Sequence, residues 1–348
     1  MVTPAADSPG SLSRRPTISD VARAAGVSIA VVSYALNGRP GVSAATRERV
    51  LRVADEFGWR PSAAARSMRT GPRAVGLVLS RGAGAAAHAT SFLDFVTATQ
   101  DVVAQRGLAL VLQIVDSAEA AVTTYREWWA ERRFDVMVVT DVLTQDPRVE
   151  ALRRMRAPAV VLGPPSVAQG LASVSLDEDE AYTRVANYLL ELGHHDVAAV
   201  TAPATLHRTR LRLDALGRAM DAVGGRLVHE PTNATPEEAA AATRRLLTAP
   251  VPPSVIVYDS DQMAVAALDV ARRTGLEVPW DLSILAGSDS ALCRLATPSI
   301  TTLPLPLGDL GTAAGEAVLA VLDGTADIER TVPIGGIAVR GSTGPRSR

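Results

Sequence analysis

The sequence predicts two unlike parts: a small all-α domain near the amino terminus and, from residue 74 onward, a much larger two-lobed α/β domain. Three observations predict this division. In the first sixty residues, apolar positions recur at helical spacing between capping residues. Beyond Ala74, short apolar runs alternate with helical stretches, the pattern of a doubly wound parallel sheet. The charge divides at the same place: residues 1–73 carry 11 arginines against 5 acidic residues, a net +6, and the remainder carries 24 against 32, a net −8.

Composition sets the outer limits. The chain has 348 residues, 47% of them hydrophobic, enough for two or three domains with buried cores and too apolar for disorder. A net charge of −2 would by itself argue against a nucleic-acid partner, but that mean conceals the basic amino-terminal part. Every basic side chain is arginine, whose planar fork matches phosphate oxygens well. The single cysteine, Cys293, has no disulfide partner and no neighbouring soft ligand. A reduced chain with a packed thiol is therefore expected, without metal or cofactor. Residues 1–15 are small, polar and rich in Pro and Ser, lacking the apolar core of a secretion signal. No run approaches the roughly 20 apolar residues that span a bilayer. The expected location is the cytoplasm, with no membrane partner.

Thr17 reads as the N-cap of a first helix, with Ile18, Val21, Ala22 and Ala25 on one face and Gly26 as its stop. Ser28 caps a second helix, Ile29–Leu36, ending near Asn37-Gly38. Ser43 caps a third, Ala44–Phe57, with Val50, Leu51, Val53 and Ala54 as its buried side. Two short helices joined by a glycine-bearing turn make the helix-turn-helix pattern, whose second helix enters a DNA major groove. On pattern alone, any short helical bundle stays equally open.

In the larger part, Val75–Leu79, Ala109–Ile114, Val136–Val139, Ala159–Leu162, Val197–Thr201, Val255–Val257 and Ile284–Gly287 read as buried parallel strands. Glu180–Leu192 and Pro236–Leu247 read as helices between them. Some 270 residues exceed one typical sheet domain, so two lobes are expected.

Particular residues narrow this reading. The run Thr17-Ile18-Ser19-Asp20-Val21-Ala22, with Ala25-Gly26-Val27-Ser28, Val32-Ser33, Leu36-Asn37-Gly38 and Val42-Ser43-Ala44-Ala45-Thr46-Arg47-Glu48-Arg49-Val50, closely resembles the headpiece of the lactose-repressor/galactose-repressor (LacI/GalR) family. Later motifs resemble that family's effector domain, which is similar to a two-lobed periplasmic sugar-binding protein. They are Val174-Ser175-Leu176-Asp177 with Tyr188-Leu189-Leu190-Glu191-Leu192-Gly193-His194, then Asp261-Gln262-Met263-Ala264, Gly275–Pro279, Asp281-Leu282-Ser283 and Gly287-Ser288-Asp289. The resemblance runs from residue 16 to about 342. It implies a flexible tail over 1–15, a helix-turn-helix domain over 16–60, a hinge helix and linker over 61–73, an effector and dimerisation domain over 74–342 and a tail over 343–348. The second lobe would begin near residue 174.

The function implied is that of a sequence-specific DNA-binding regulator, a repressor. It would bind a near-palindromic duplex operator as a homodimer and answer to a small-molecule effector, a sugar or other metabolite, held between the lobes. By the resemblance, Thr17, Ser28, Ser33, Asn37, Ser43 and Thr46 meet phosphates, where helix-end amides also face the anion. Helix capping is the alternative role for these residues, and for Thr17 and Ser43 the two are compatible. Base reading falls to Ile29, Ala30 and Tyr34. Many members have arginine at the position of Tyr34 and polar residues at the other two. A bidentate contact to guanine is thus unavailable from these three side chains, leaving thymine methyls and the tyrosine hydroxyl to take part. In the hinge, Ser62, Ala65 and Met68 would lie on the minor groove. Met68, where the family usually has leucine, would be the wedge that unstacks the central step.

For the effector the resemblance points to Phe92, Arg212, Ser260 and Asp289. Each has a plainer alternative: core for Phe92, an exposed helix charge for Arg212, a cap for Ser260 and a turn for Asp289. Where family members often stack an aromatic on their ligand, this chain reads Asn233-Ala234-Thr235-Pro236, so the effector is left unnamed. After Arg340 no leucine heptad follows, which favours a dimer over a tetramer. The rival classes are a free solute-binding protein, which has no use for a basic headpiece, and an enzyme. For an enzyme the chain offers only His194-His195, which cannot share a helix face, and Gly82-Ala83-Gly84, a fragment of a phosphate loop.

Overall fold

The computed structural model describes residues 17–36, 39–57, 74–80, 89–325 and 327–346, and the side chains of 89–91 fall outside that description. The chain divides into two units, Met1–Gly71 and Pro72–Arg348.

The first unit holds α1 (Ile18–Ala25), α2 (Ile29–Leu36) and α3 (Ala44–Glu56), with limits close to those the caps predict. The Thr17 amide and hydroxyl both donate to the Asp20 carboxylate, at 2.8 and 2.6 Å, satisfying a helix start that would otherwise leave donors unpaired. Gly26 ends α1 in the left-handed region at φ 64°, which costs a residue without Cβ little. Val21, Ala22 and Ala25 meet Val32, Ala35, Val50 and Ala54 in a core of small side chains. Small residues let three short helices approach closely without a large apolar reservoir.

The second unit contains two parallel sheets. The first lobe has β1 (Ala74–Ser80), β2 (Ala109–Val115), β3 (Val136–Val139), β4 (Ala159–Leu162), β5 (Ala172–Leu176) and β11 (Glu329–Val332), in the order β11-β5-β4-β3-β1-β2. Helices α4 (Ala89–Ala104) and α13 (Leu307–Leu322) cover one face, where Val75, Leu77 and Leu79 meet Phe95, Leu310 and Ala314. On the other face α5 (Ala118–Ala130) and α6 (Pro147–Met155) bring Tyr125, Trp128 and Leu152 against Val78, Met137 and Val139. Covering on both faces is why the central strands β1, β3 and β4 read as unbroken apolar runs, whereas edge strands β2 and β11 are largely exposed. The second lobe has β6 (Asp196–Thr201), β7 (Arg226–Pro231), β8 (Val255–Tyr258), β9 (Ser283–Ala286) and β10 (Thr301–Thr302), ordered β10-β9-β8-β6-β7. It is flanked by α8 (Glu178–Glu191), α9 (His207–Ala222), α10 (Pro236–Leu247) and α11 (Asp261–Arg273). Among the described residues no single helix is long and apolar enough to cross a membrane.

Four expectations need correction. Ala109–Ile114 is not a buried strand, because β2 lies at the sheet edge with Val111, Leu112 and Ile114 exposed, and Leu51 is exposed on α3 while Val50 and Ala54 are buried. Val174-Ser175-Leu176 does not open the second lobe: β5 pairs with β4 and β11 in the first sheet, and the crossing falls between Leu176 and α8. A short buried strand looks alike in either sheet, because its partner is chosen by tertiary contacts that periodicity does not carry. The segment from residue 343, expected as a tail, is held to the second lobe as far as it is described. Thr343 is buried and its hydroxyl pairs with those of Tyr188 and Thr301 at 2.6 and 2.8 Å. The chain crosses between lobes three times, after β5, before α13 and after β11, and its end returns to the second lobe, where Ser342 hydrogen-bonds both ways with Ile284.

Helices α4 and α13 pack unusually close. A Cβ on Gly311 would fall on the Phe95 carbonyl oxygen, and one on Gly315 would lie 2.7 Å from Val102 Cβ. The Thr99 hydroxyl bridges the same contact, donating to the Gly311 carbonyl at 3.0 Å. Gly315→Val should therefore lower stability by about 1–3 kcal/mol through overpacking. The check is a reduced urea midpoint with an unchanged denaturant slope.

Candidate functional sites in the headpiece and between the lobes

In the first unit, α2 turns Val32 and Ala35 into the core and leaves the opposite face open. Ile29 is 49% and Tyr34 42% exposed, and Ala30 lies exposed with them. The three expected base-reading residues thus share one solvent face. Around it lie exposed Ser28 and Ser43 and half-buried Thr17, Ser33 and Thr46. Ser28 Oγ accepts from the Val31 amide at 3.3 Å, and Ser43 Oγ accepts from the Thr46 amide at 3.2 Å. Capping is therefore a role these serines hold in the absence of any partner. Asn37, Ser62, Ala65 and Met68 lie outside the described residues.

One residue at this face was not anticipated. The Arg39 guanidinium carbon stands 5.7 Å from the centre of the Tyr34 ring, within cation–π range, and the Arg39 carbonyl accepts from Arg47 Nη2 at 2.7 Å. Arg39 follows the end of α2, so no helical period places it beside Tyr34. The only sequence signal was an arginine a few residues beyond an unexpected tyrosine.

The second site is a cavity of about 140 Å³ between the lobes of the second unit. It lies beyond the carboxyl ends of β1, β3, β4 and β5, the position that open parallel sheets commonly give to ligands. The first lobe contributes Leu79, Phe92, Phe95, Thr140, Leu162 and Leu176. The second lobe contributes Glu178 and the first turns of α9: His207, Arg208, Leu211 and Arg212. Leu305, Leu307 and Leu310 close it from the crossing into α13. A backbone clasp joins its walls, with the His207 amide donating to the Val142 carbonyl at 2.9 Å and the Thr144 amide to the Thr205 carbonyl at 3.1 Å.

The structure brings Phe92 and Arg212 to this cavity and does not include Ser260 or Asp289 in its lining. The Phe92 ring pairs with that of Phe95 at 5.7 Å. Arg212 is not an exposed helix charge: only 1% of its surface is accessible. Its Nε and Nη2 donate to Glu178 at 2.6 and 2.8 Å, its Nη1 to Asp259 at 3.2 Å, and it lies over the Tyr182 ring. Burial would lower its pKa, but the two carboxylates outweigh burial and raise it well above its usual value. Ser260 caps α11 through the Met263 amide. Asp289 is held by Arg340 and Arg294, which overcome the effect of burial and keep its carboxyl below the usual range.

Several polar atoms of residues lining the cavity find no hydrogen-bond partner among the described residues: Thr140 Oγ1, both ring nitrogens of His207 and Arg208 Nε. Arg208 also pairs with Asp141 through Nη1. Burial lowers the His207 pKa and so favours its neutral ring. None of the three was singled out in the sequence, because Thr140 follows a strand and the other two begin a helix. That all three line one cavity is visible only in three dimensions. Elsewhere, Cys293 is fully buried with its thiol pKa pushed up by burial to about 12, which suits a packed thiol rather than a nucleophile. His194 ties the end of the chain to the lobe through the Gly344 carbonyl at 3.0 Å.

Comparison with known proteins finds relatives for both parts of the chain. Residues 17–62 match the family described as bacterial regulatory proteins, lacI family, and residues 186–343 match the periplasmic binding protein-like domain. A curated relative, the HTH-type transcriptional regulator AglR of Rhizobium meliloti (strain 1021), is 29% identical over 83% of this chain and 81% of its own length. A solved complex of the transcriptional regulator CelR with cellobiose is 26% identical, with a TM-score of 0.70 over 94% of this chain and 100% of that one. The Lac repressor dimer bound to operator and the anti-inducer ONPF shares the fold, with a TM-score of 0.82 at 23% identity over 95% of this chain and 100% of that one.

Arg212→Met would leave Glu178 and Asp259 buried without their counter-charge. Breaking a buried ion pair on one side costs about 3–5 kcal/mol, so this variant should melt well below the parent in urea. A loss below about 1 kcal/mol would mean that the guanidinium is not structural.

Proposed function

The chain belongs to the LacI family of bacterial regulatory proteins, and from that membership we propose that it represses transcription as a homodimer on a near-palindromic operator, under the control of a small molecule bound between its lobes. The relatives are transcriptional regulators and not enzymes, and this chain is a DNA-binding regulator of the same class. The observation that carries the finer reading is the open face of α2, where Ile29, Ala30 and Tyr34 stand exposed on a core of small residues. Exposed isoleucine and tyrosine on so small a unit call for a partner surface.

In this reading α2 lies in the major groove. Ile29 and Ala30 meet thymine methyls, and Tyr34 presents its hydroxyl. Thr17, Ser28, Ser33, Ser43 and Thr46, with Asn37, set the register on phosphates. Arg39, held at the Tyr34 ring, supplies the guanidinium that many family members carry at the tyrosine position itself. Ser62, Ala65 and Met68 form the hinge in the minor groove, with Met68 as the wedge. The protein works in the cytoplasm, where its operator is.

The dimer is supported by apolar side chains left open on both lobes. Edge strand β2 exposes Val111, Leu112 and Ile114, Leu93 is exposed on α4, and Leu292 and Leu295 are exposed on α12 (Ala291–Leu295). An uncovered apolar edge strand invites association, and a second copy related by a two-fold axis matches a palindrome. Effector and operator are coupled reciprocally, on the order of 1–3 kcal/mol.

Selection from a random duplex pool with purified protein should recover a palindrome with a defined centre, and Met68→Gly should lose or shift that centre. Recovery of no preferred sequence would overturn the operator reading. Arg39→Ala should weaken the selected operator by about 1–3 kcal/mol and relax preference at one position per half-site. A uniform loss with a salt slope reduced by about 1 would instead make Arg39 a phosphate contact. Ile114→Glu should shift the sedimenting species from dimer towards monomer and weaken operator binding with it. An unchanged dimer would exclude β2 from the interface.

A further inference from the structure

We propose that the ligand of the interlobe cavity is a small, mostly apolar molecule, about the bulk of a single six-membered ring with a short substituent, carrying one neutral hydrogen-bonding head, and not a polyhydroxylated sugar. The inference rests on the reading of this cavity as the effector site and specifies the chemistry that site accepts.

Size comes first. A dry, apolar cavity of about 150 Å³ takes a guest the size of benzene, and this one measures about 140 Å³. Its walls are leucine and phenylalanine from three directions: Leu79, Phe92 and Phe95 from the first lobe, Leu211 from α9, and Leu305 and Leu310 from the crossing. A ligand that buries hydroxyls against such walls loses water without a replacement partner and binds more weakly for each one. An apolar ring gains on the same walls.

Charge comes second. The charged groups around the cavity already compensate one another. Arg212 is engaged by Glu178 and Asp259, and Arg208 by Asp141. Those two cations face three carboxylates, so an anionic ligand adds to an existing excess of negative charge. A cationic one would have to draw a carboxylate away from a buried arginine. A neutral ligand disturbs neither pair.

The polar head is specified by the unpartnered atoms. Thr140 is 5% exposed, and it lines the cavity together with His207 and Arg208; Thr140 Oγ1, Arg208 Nε and both His207 ring nitrogens find no hydrogen-bond partner among the described residues. Arg208 Nε–H can only donate, the Thr140 hydroxyl can donate or accept, and a neutral imidazole offers one of each. A single carbonyl oxygen on the ligand suits either donor, the Arg208 Nε–H or the Thr140 hydroxyl. At the first-lobe wall the Ser175 hydroxyl already faces that of Thr331 at 3.4 Å, so a second polar end on the ligand meets no comparable set of donors.

The test is calorimetric titration of the full-length protein with a graded set of probes: acetophenone, ethylbenzene, benzoate, glucose, cellobiose and hypoxanthine. Acetophenone should bind saturably. Ethylbenzene, which keeps the ring and loses the carbonyl, should bind about tenfold more weakly, the worth of a hydrogen bond to a charged donor. Benzoate and the three polar probes should give no saturable heat. Thr140→Val preserves shape and should weaken acetophenone severalfold while leaving ethylbenzene unchanged, and Leu310→Trp should fill the cavity and abolish both. If Leu310→Trp fails to fold, the Thr140→Val comparison decides. Tighter binding of glucose, cellobiose or hypoxanthine than of acetophenone would overturn the proposal, as would absence of binding by every probe. Operator affinity measured with acetophenone separates the two readings. Binding abolished by Leu310→Trp without any change at the operator supports the ligand class and overturns the effector role. A sugar that binds the cavity and changes operator affinity does the reverse.

Discussion

A buried guanidinium organises the half of the protein that faces the cavity. Arg212 sits one turn and a half into α9, and its two acidic partners come from elements far apart in sequence: Glu178 at the start of α8, immediately after the chain leaves the first lobe, and Asp259 just beyond β8. Asp259 also accepts the Ala202 amide at 2.7 Å, so the same charge cluster fixes the loop beyond β6. Tyr182 completes the arrangement. Its ring lies against the guanidinium, and its hydroxyl occupies space that a side chain on Gly287 would need. Ionised groups at this depth hold only while every partner is in place. The lobe therefore has one arrangement of α8, α9 and two strand ends, and the cavity wall inherits that rigidity.

The first lobe meets this wall through a different device. Arg148, also buried, donates from Nε and Nη2 to Asp146 and from Nη2 to the Asp141 carbonyl. It pins the loop that follows β3 at both ends, although Asp141 adopts φ 50°. That loop carries Thr140 into the cavity and then clasps the start of α9 by backbone hydrogen bonds. The two walls thus meet through a small backbone contact, and the cavity lies beside it.

Much of this was legible in the residues, and the remainder was lost for identifiable reasons. Caps and stops in the headpiece could be read because Thr17, Gly26, Ser28 and Ser43 act on neighbours within a few positions. Val136–Val139 and Ala159–Leu162 were read to the residue, since strands covered on both faces give continuous apolar runs. The partner sheet of β5 was misread because strand pairing is decided at long range. Strands β7 and β11, with half-buried and exposed residues, left no clear apolar run. Resemblance led to Phe92 and Arg212, but the balance of charge around Arg212 needed Glu178 and Asp259, 34 and 47 positions away. Arg39 beside Tyr34, and Thr140, His207 and Arg208 in the wall of one cavity, had no sequence signature, because only the fold brings them there.

The path of the chain bears on how such a protein diversifies. The headpiece is one uninterrupted stretch with its own core, so a single recombination event between related genes could exchange it whole and redirect the same sensor to new promoters. The lobes are woven together by three crossings, with α13 and β11 returning to the first sheet and the last residues returning to the second. Neither lobe can be transplanted by one cut. Ligand preference must therefore drift by point substitution within an inherited scaffold, while the choice of target can change by shuffling.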